Sequence, residues 1–402
     1  MNDFNATPVP RVSQDPKDPA FSANPYPFYS EIRALGDFVY WEDLEMIVAT
    51  THVASTAVLR SQDLGRERPA ERKSAIAAEL GPFERLEKYS LLELEPPEHT
   101  RLRQIAMAGM GRERVAPMGP RISNISDALI DAFPSGEFDL LEAFAKPLPA
   151  IAIANFLGVP EEMAPQLQSW SNDMVAMYQS RRDTEIEQRA ATASQEFRDY
   201  LSDYIKVRRA SPGNGFLDDL IALEADGQSM SEDELISTVV LLLNAGHEAT
   251  VHTIGSAVSL VADHPDRALI LSPPHIADTV EECLRFKPPL HLFTRFAKET
   301  TDVMGCAIQK GQEIGCLLGS ACRDDSVWPD ADKFDPFRAR RQHLAFGSGI
   351  HVCIGASLAR LELQIALPVL FSRCPKLRLS RTPKDANLYH FHGFETLWAT
   401  VK

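Results

Sequence analysis

Residues 343–362, "HLAFGSGIHVCIGASLARLE", set one cysteine, Cys353, between glycines and directly before a stretch with helical apolar spacing. A cysteine placed this way is suited to hold a metal. The ligand form is the thiolate, whose charge is stabilised by the partial positive end and free N–H groups of a helix N-terminus. Gly347, Gly349 and Gly355 permit backbone conformations closed to other residues and let a flat ligand approach the chain. N–H groups turned to the sulfur would tune a bound metal. Other readings exist: an inert loop thiol, a phosphate cradle, or a Cys–His nucleophile using His351. The phosphate signature G-x-x-x-x-G-K-[ST] is missing. The nucleophile needs a base and oxyanion donors placed elsewhere, which spacing leaves open.

The rest of the chain narrows the class. It has 402 residues, 44% hydrophobic and 24% charged, the balance of a soluble globular protein. There is no repeat, low-complexity run or linker, so one mainly helical domain over residues 1–402 is expected. Lys and Arg number 41 against 56 Asp and Glu, a formal charge of −15 that disfavours nucleic acid. The start, "MNDFNATPVPRVSQDPKDPAF", is polar and proline-rich, neither leader nor anchor, and its first ~20 residues read as extended. The apolar run "TVVLLLNAG" is far shorter than the roughly 20 residues that span a bilayer. A cytoplasmic protein without a membrane partner is expected. Cys283, Cys306, Cys316, Cys322, Cys353 and Cys374 show no C-x-x-C spacing, which argues against disulfide staples and structural zinc.

Along the chain, "PYPFYSEIRALG" (25–36) reads as a helix closed at Gly36, and "FVYWEDLEMIVAT" (38–50) as a strand pair. Helices dominate from "PPEHTRLR" (96–103) to about Leu260. The longest opens at a capping box, Ser231 with Glu234, and runs to His264 and Pro265. At ~1.5 Å per residue it spans about 45 Å, and its apolar faces send it through the middle of the protein. "HIADTVEECLRF" (275–286) is a shorter helix. Short β-prone runs follow from 290 to 321, then polar coil, the cysteine stretch, a last helix from Ala356, and a terminal hairpin-like segment.

Phe346, Gly349, His351, Cys353 and Gly355 fit F-x-x-G-x-[HR]-x-C-x-G, with Gly347 inside it. This pattern resembles the heme-binding loop of the cytochrome P450 family, the heme-thiolate monooxygenases. The resemblance implies a mainly α fold with a small β region, a triangular helical prism whose long helix crosses over heme. It implies heme b, with Cys353 as iron ligand, its thiolate favouring O–O cleavage. Further motifs follow in the family's order. Glu282 and Arg285 form E-x-x-R, joined by Arg338 of "FDPFRARR" (334–341) in a structural brace beside the heme. His99 and Arg103, one helical turn apart, with Arg295 and His351, match the partners of the heme propionates. Within "LLLNAGHEAT" (241–250), Ala245, Gly246 and Glu248 match [AG]-G-x-[DE]-T-T, where small residues leave room for dioxygen and the helix commonly widens.

One position departs from the family. The threonine that normally follows the acid is Ala249, and Thr250 sits ~100° further round the helix. Thr253 lies one turn past Ala249. Proton delivery is then expected from Glu248 with ordered water, a substrate hydroxyl, or a shifted Thr250. By resemblance the substrate pocket takes in Leu91, Leu92, Leu243, Asn244, Leu290, His291, Phe293 and Phe394, with Met163, Met174, Met177 and Tyr178 as a pliable roof. That suggests a medium-sized, mostly apolar molecule with a polar handle. No flavin or iron–sulfur motif is present, so electrons are expected from a ferredoxin and its reductase, steered to Arg338, Arg340 and Arg341. Alternatives are a heme-thiolate peroxygenase, desaturase or coupling enzyme, a non-catalytic heme ligand binder, and a heme-free cysteine hydrolase, which leaves His99, Arg103 and Arg295 unexplained.

Overall fold

Acidic residues at one end and an almost unbroken apolar run behind them produce the longest helix, Glu232–Val261. Its start carries the reciprocal cap: Ser231 N–H donates to Glu234 Oε2 at 2.8 Å, and Glu234 N–H donates to Ser231 Oγ at 3.3 Å. The computed structural model describes residues 9–69, 80–178, 182–223 and 230–401. The chain forms two compact units, one of Met1–Lys73, Gly255–Cys353 and Thr382–Thr396, the other of Ser74–Ile254, Ile354–Arg381 and Leu397–Lys402.

The first unit holds the main sheet. Its six strands run in the order Arg11–Val12, Phe38–Trp41, Met46–Ala49, Glu313–Leu317, Leu292–Ala297, Leu64–Gly65. The expected strand pair is present as Phe38–Trp41 against Met46–Ala49, antiparallel, with Val39 opposite Val48. Tyr26–Leu35 is the expected helix, and it ends at Gly36 with φ +141°, a conformation that suits glycine. The described part of the N-terminus is extended only as far as Asp18, after which Pro19–Ala23 is helical; residues 1–8 lie outside the described residues. Apolar side chains such as Ile47, Val58, Ile308 and Ile314 fill one face of the sheet.

Among the described residues the second unit is helical apart from three short antiparallel strands, Arg378–Leu379, Trp398–Thr400 and Phe138–Asp139. The helix after the cysteine stretch, Ala356–Arg373, packs on Met118–Asp131, and Thr184–Ala210 packs on Ala164–Val175. The long helix is α-helical throughout, without the widening common in the family; the π-type turn of this unit is Leu141–Ala145 instead. Among the described residues no helix is long and apolar enough to cross a membrane.

A charged cluster ties the polar coil of the first unit to the helix Ile276–Phe286. Arg285, 2% exposed, donates through Nε and Nη2 to both carboxylate oxygens of Glu282, each at 2.7 Å. It also donates to the carbonyls of Cys322 and Ala331 at 2.9 Å and of Lys333 at 3.1 Å. Asp335 N–H donates to Glu282 Oε1 at 2.9 Å, and Arg338 Nε approaches the same oxygen at 3.6 Å. Glu282, Arg285 and Arg338 thus lie together, and the cluster pins coil that has no ladder of its own. Breaking a buried pair strands the remaining charge and typically costs about 3–5 kcal/mol. Arg285→Leu is expected to lose about that much in denaturant unfolding. Arg285→Lys should not rescue it, because an ammonium cannot reproduce the bidentate fork; wild-type stability in the lysine variant would contradict this account.

Candidate active site

The cysteine stretch is a loop closed on itself. Gly347 N–H donates to the Leu344 carbonyl at 2.8 Å, Val352 N–H to Gly349 at 3.1 Å, and Cys353 N–H to Phe346 at 2.9 Å. It is also pinned to the helix His52–Arg60. Arg60 Nε donates to the buried Ser348 Oγ at 2.7 Å. Gly349, at φ +76°, comes so near that a Cβ there would lie 2.3 Å from the Leu59 carbonyl oxygen. Only glycine fits, for both reasons. Gly347, at φ +68°, has the opposite surroundings: nothing lies within 4 Å of where its Cβ would be.

Cys353 is the one exposed cysteine of six. Burial pushes the others up as acids, Cys316 to about 12 and Cys306 and Cys322 to about 11, so they stay protonated, packed thiols. In the same unit Arg295, on the strand Leu292–Ala297, is 2% exposed; its Nη1 donates to the Thr294 carbonyl at 2.9 Å and its guanidinium lies 4.9 Å from the Phe293 ring centroid. A guanidinium is well suited to bind a carboxylate through two parallel hydrogen bonds. His351 and Phe346 are half-buried on the loop. An accessible soft sulfur ligand, open space over Gly347, and a buried guanidinium fit a flat iron-bearing group with carboxylate arms. Gly355, with open space around its Cβ position, immediately precedes the helix Ala356–Arg373.

In the second unit, His99 and Arg103 stand one turn apart on Glu98–Ala108, His99 buried and Arg103 half-buried. On the long helix, Leu241, Glu248 and Ala249 are half-buried and Ala245 is exposed, whereas Leu242, Leu243, Asn244, His247 and Thr250 are buried. Positions 241, 245, 248 and 249 share one face, so an open face interrupts an otherwise enclosed helix. Ala245 and Ala249 supply its room. At Gly246 a Cβ would lie 3.4 Å from Ile153 Cδ1, in ordinary contact with the helix Pro147–Leu157, so packing alone does not demand glycine there.

The threonines also differ from expectation. Thr250 Oγ1 donates to the Gly246 carbonyl at 2.8 Å, and Thr253 Oγ1 to the Ala249 carbonyl at 2.7 Å. Both are buried, and their protons are committed to the backbone one turn back, the usual fate of a threonine inside an apolar helix. Glu248 has two histidine neighbours: His252 Nε2 at 3.3 Å from Oε1, and His247 Nδ1 at 4.0 Å from Oε2. Burial raises the acid, but the histidines outweigh it and hold Glu248 below its ordinary range. Burial lowers His247. His252 is a site feature that the motif left unread; its only signal was its position, four residues after the acid.

The pocket residues divide. Leu91 and Leu243 are buried and Leu92 and Leu290 half-buried. Asn244 Nδ2 points to Met174 Sδ at 3.6 Å, and Oδ1 has no hydrogen-bond partner among the described residues. His291, fully buried, is engaged through Nδ1 with Tyr29 Oη at 3.1 Å, and Tyr29 donates to Tyr389 Oη at 3.0 Å. Its ring stacks on His392 at 4.6 Å. Phe293 lies beneath Arg66 and Arg295, and Phe394 beneath Lys287. Met174 and Met177 are buried, Met163 is half-buried, and Tyr178 donates to Glu87. Of the three arginines before the loop, Arg338 is used internally, donating to the carbonyls of Asp330 and Lys333. Arg340 and Arg341 are exposed, Arg340 paired with Asp278.

Known proteins share this sequence and fold. The model of the cytochrome P450 family matches residues 49–268 and 274–387. Cytochrome P450 107B1 of Saccharopolyspora erythraea is 36% identical over 351 residues, covering 86% of this chain and 83% of that protein. The 6-deoxyerythronolide B hydroxylase of the same organism is 37% identical over 295 residues, covering 72% of each. The crystal structure of P450BioI in complex with an acyl carrier protein ligated to hexadec-9Z-enoic acid superposes with a TM-score of 0.89 at 31% identity, covering 95% of this chain and 100% of that one. With the family model matching most of its length, this chain belongs to the cytochrome P450 family and is a heme-thiolate monooxygenase, an oxidoreductase that uses heme b.

Proposed function

We propose that residues 1–402 form a single catalytic domain in which Cys353 is the iron ligand, and that the reaction is oxygenation of a medium-sized, mostly apolar molecule bearing a polar group. One observation carries the assignment: of six cysteines, Cys353 alone is exposed, on a loop whose glycines are fixed by close approach and left-handed backbone. Bound there, heme supplies reductive activation of dioxygen and insertion of one oxygen atom into the substrate. The protein's part is positional. Arg295 and His351, with His99 and Arg103, are suited to meet the carboxylate arms. Leu241, Ala245 and Ala249 keep the open face of the long helix small and apolar, and Glu248 holds a proton-carrying carboxylate on that face.

The pocket residues remain those of the motif reading: Leu91, Leu92, Leu243, Asn244, Leu290, His291, Phe293 and Phe394. Relatives named as hydroxylases of 6-deoxyerythronolide B and, at position 25, of vitamin D(3) support a largely apolar substrate. Electrons come from a ferredoxin and its reductase, docking on Arg340 and Arg341, with Arg338 confined to the brace. Five cysteines buried as thiols support a cytoplasmic setting. Ala249, which removes the usual hydroxyl, favours a second reading as a peroxygenase or a desaturase; turnover with peroxide alone would select it.

Cys353→Ser is expected to fold but to lose the thiolate signature of the reduced carbon monoxide complex, while Cys316→Ser should keep it. Retention of that signature in the Cys353 variant would end the assignment. Ala249→Thr is expected to lower product formed per electron severalfold and to raise peroxide release, because the added hydroxyl competes with a substrate-assisted proton route. A sharp gain in coupling would contradict that route. Electron transfer from a small acidic ferredoxin should slow as salt rises from low to physiological ionic strength, where charge screening sets in over about 8–10 Å. A rate independent of salt, or unchanged in an Arg340→Ala, Arg341→Ala double variant, would count against docking at these arginines.

A further inference from the structure

The open face of the long helix carries one proton-bearing side chain. Its members are Leu241, Ala245, Glu248 and Ala249, and the hydroxyls of Thr250 and Thr253 are bonded to backbone carbonyls. Glu248 is therefore the group on which proton supply at this face depends. Its side chain is 20% exposed, so it is neither free in water nor sealed. Behind it, His252 is 7% exposed and His247 2%. Lys146, at the start of the helix Pro147–Leu157 and ion-paired with Glu142, also acts on the charge of Glu248.

We propose that His252 is a positioning residue for Glu248 and its proton partner, so that a buried imidazole and a half-open carboxylate together replace the missing hydroxyl at position 249. The inference rests on the reading of this face as the oxygen side. Its basis is geometry: the two residues are one turn apart on the same helix, with Nε2 3.3 Å from Oε1. At that separation the contact is an ion-pair approach, not an aligned hydrogen bond, and Nε2 has no other partner among the described residues. His247, at 4.0 Å, contributes charge more weakly.

The step balances simply. With His252 as imidazolium, the Nε2 proton passes to Glu248 Oε1, leaving a neutral imidazole and a neutral carboxylic acid. The acid presents its O–H at the open face. When it gives that proton up, the carboxylate is restored and His252 takes the next proton at Nε2. A carboxylate that is half out of water needs a partner to stay ionised. Burial alone raises Glu248; the contact with His252 is the largest influence opposing it, followed by His247 and Lys146. Removing His252 should therefore move the Glu248 titration upward.

The test is carbon-13 NMR of the full-length holoenzyme labelled at the glutamate side-chain carboxyl, with Glu248→Gln identifying the resonance. Wild type is expected to show an ionised Glu248 throughout pH 5–8 (a range about its ordinary value and that of histidine). In His252→Leu the resonance should titrate, its midpoint moving up by about one pH unit or more. His252→Gln, which keeps a polar contact but no charge, should move the same way and guards against a leucine variant that fails to fold. His247→Gln should move it less. An unchanged Glu248 titration in both His252 variants overturns the proposal. If the titration moves but Glu248→Gln leaves coupling of electrons to product intact, the pair stands and the placement of this face at the oxygen site is what fails.

Discussion

A sulfur atom that must stay accessible cannot be held by burial, so the backbone around it has to do the holding. Around Cys353 this is done by two short turns, a hydrogen bond from Cys353 N–H to the Phe346 carbonyl and a close approach of Gly349 to the Leu59 carbonyl, anchored by Arg60 on Ser348. Each device fixes the backbone without covering the thiol. The other five cysteines show the default, in which a thiol is drawn into apolar packing and loses its acidity. The conformational cost of ordering a loop, ~1–2 kcal/mol per residue, explains why the loop leans on a helix and on the neighbouring braced coil.

Buried charge in this protein is treated in three ways, and the differences follow use. Arg285 and Glu282 are satisfied completely, by each other and by backbone groups, and form a rigid strut. Glu362, on the helix Ala356–Arg373, is 2% exposed, and its Oε2 has no hydrogen-bond partner among the described residues; burial pushes it far above the ordinary carboxyl range, so it is kept neutral. Glu248 falls between these. Burial raises it, and its histidine neighbours, at 3.3 and 4.0 Å, hold it below its ordinary range.

Much of this was legible in the sequence because local signals agreed with the global fold. The capping box at Ser231 and Glu234, the Phe38–Ala49 strand pair, the helix end at Gly36 and the E-x-x-R brace all depend on residues a few positions apart. The open face of the long helix was not legible: "LLLNAGHEAT" is apolar nearly all round, so periodicity gives no direction, and Gly246 reads equally as oxygen room or as helix contact. His291 was read as a pocket donor, and its Nδ1 is engaged by Tyr29, 262 positions away, with Tyr389 beside it 98 positions on. Nothing in a sequence window announces such a partner. Arg338 was given two roles, and its carbonyl contacts leave it only one.

The threonines show why Ala249 matters physically. A threonine in an apolar helix lowers its own cost by donating to the carbonyl one turn back, as Thr250 and Thr253 do. For a hydroxyl to serve chemistry, the helix must deny it that carbonyl, which requires local opening of the ladder. This helix is α-helical through the whole segment. An unopened helix and a missing hydroxyl are consistent with the proposal that Glu248 carries the proton, since a carboxylate reaches beyond the backbone that captures a shorter side chain.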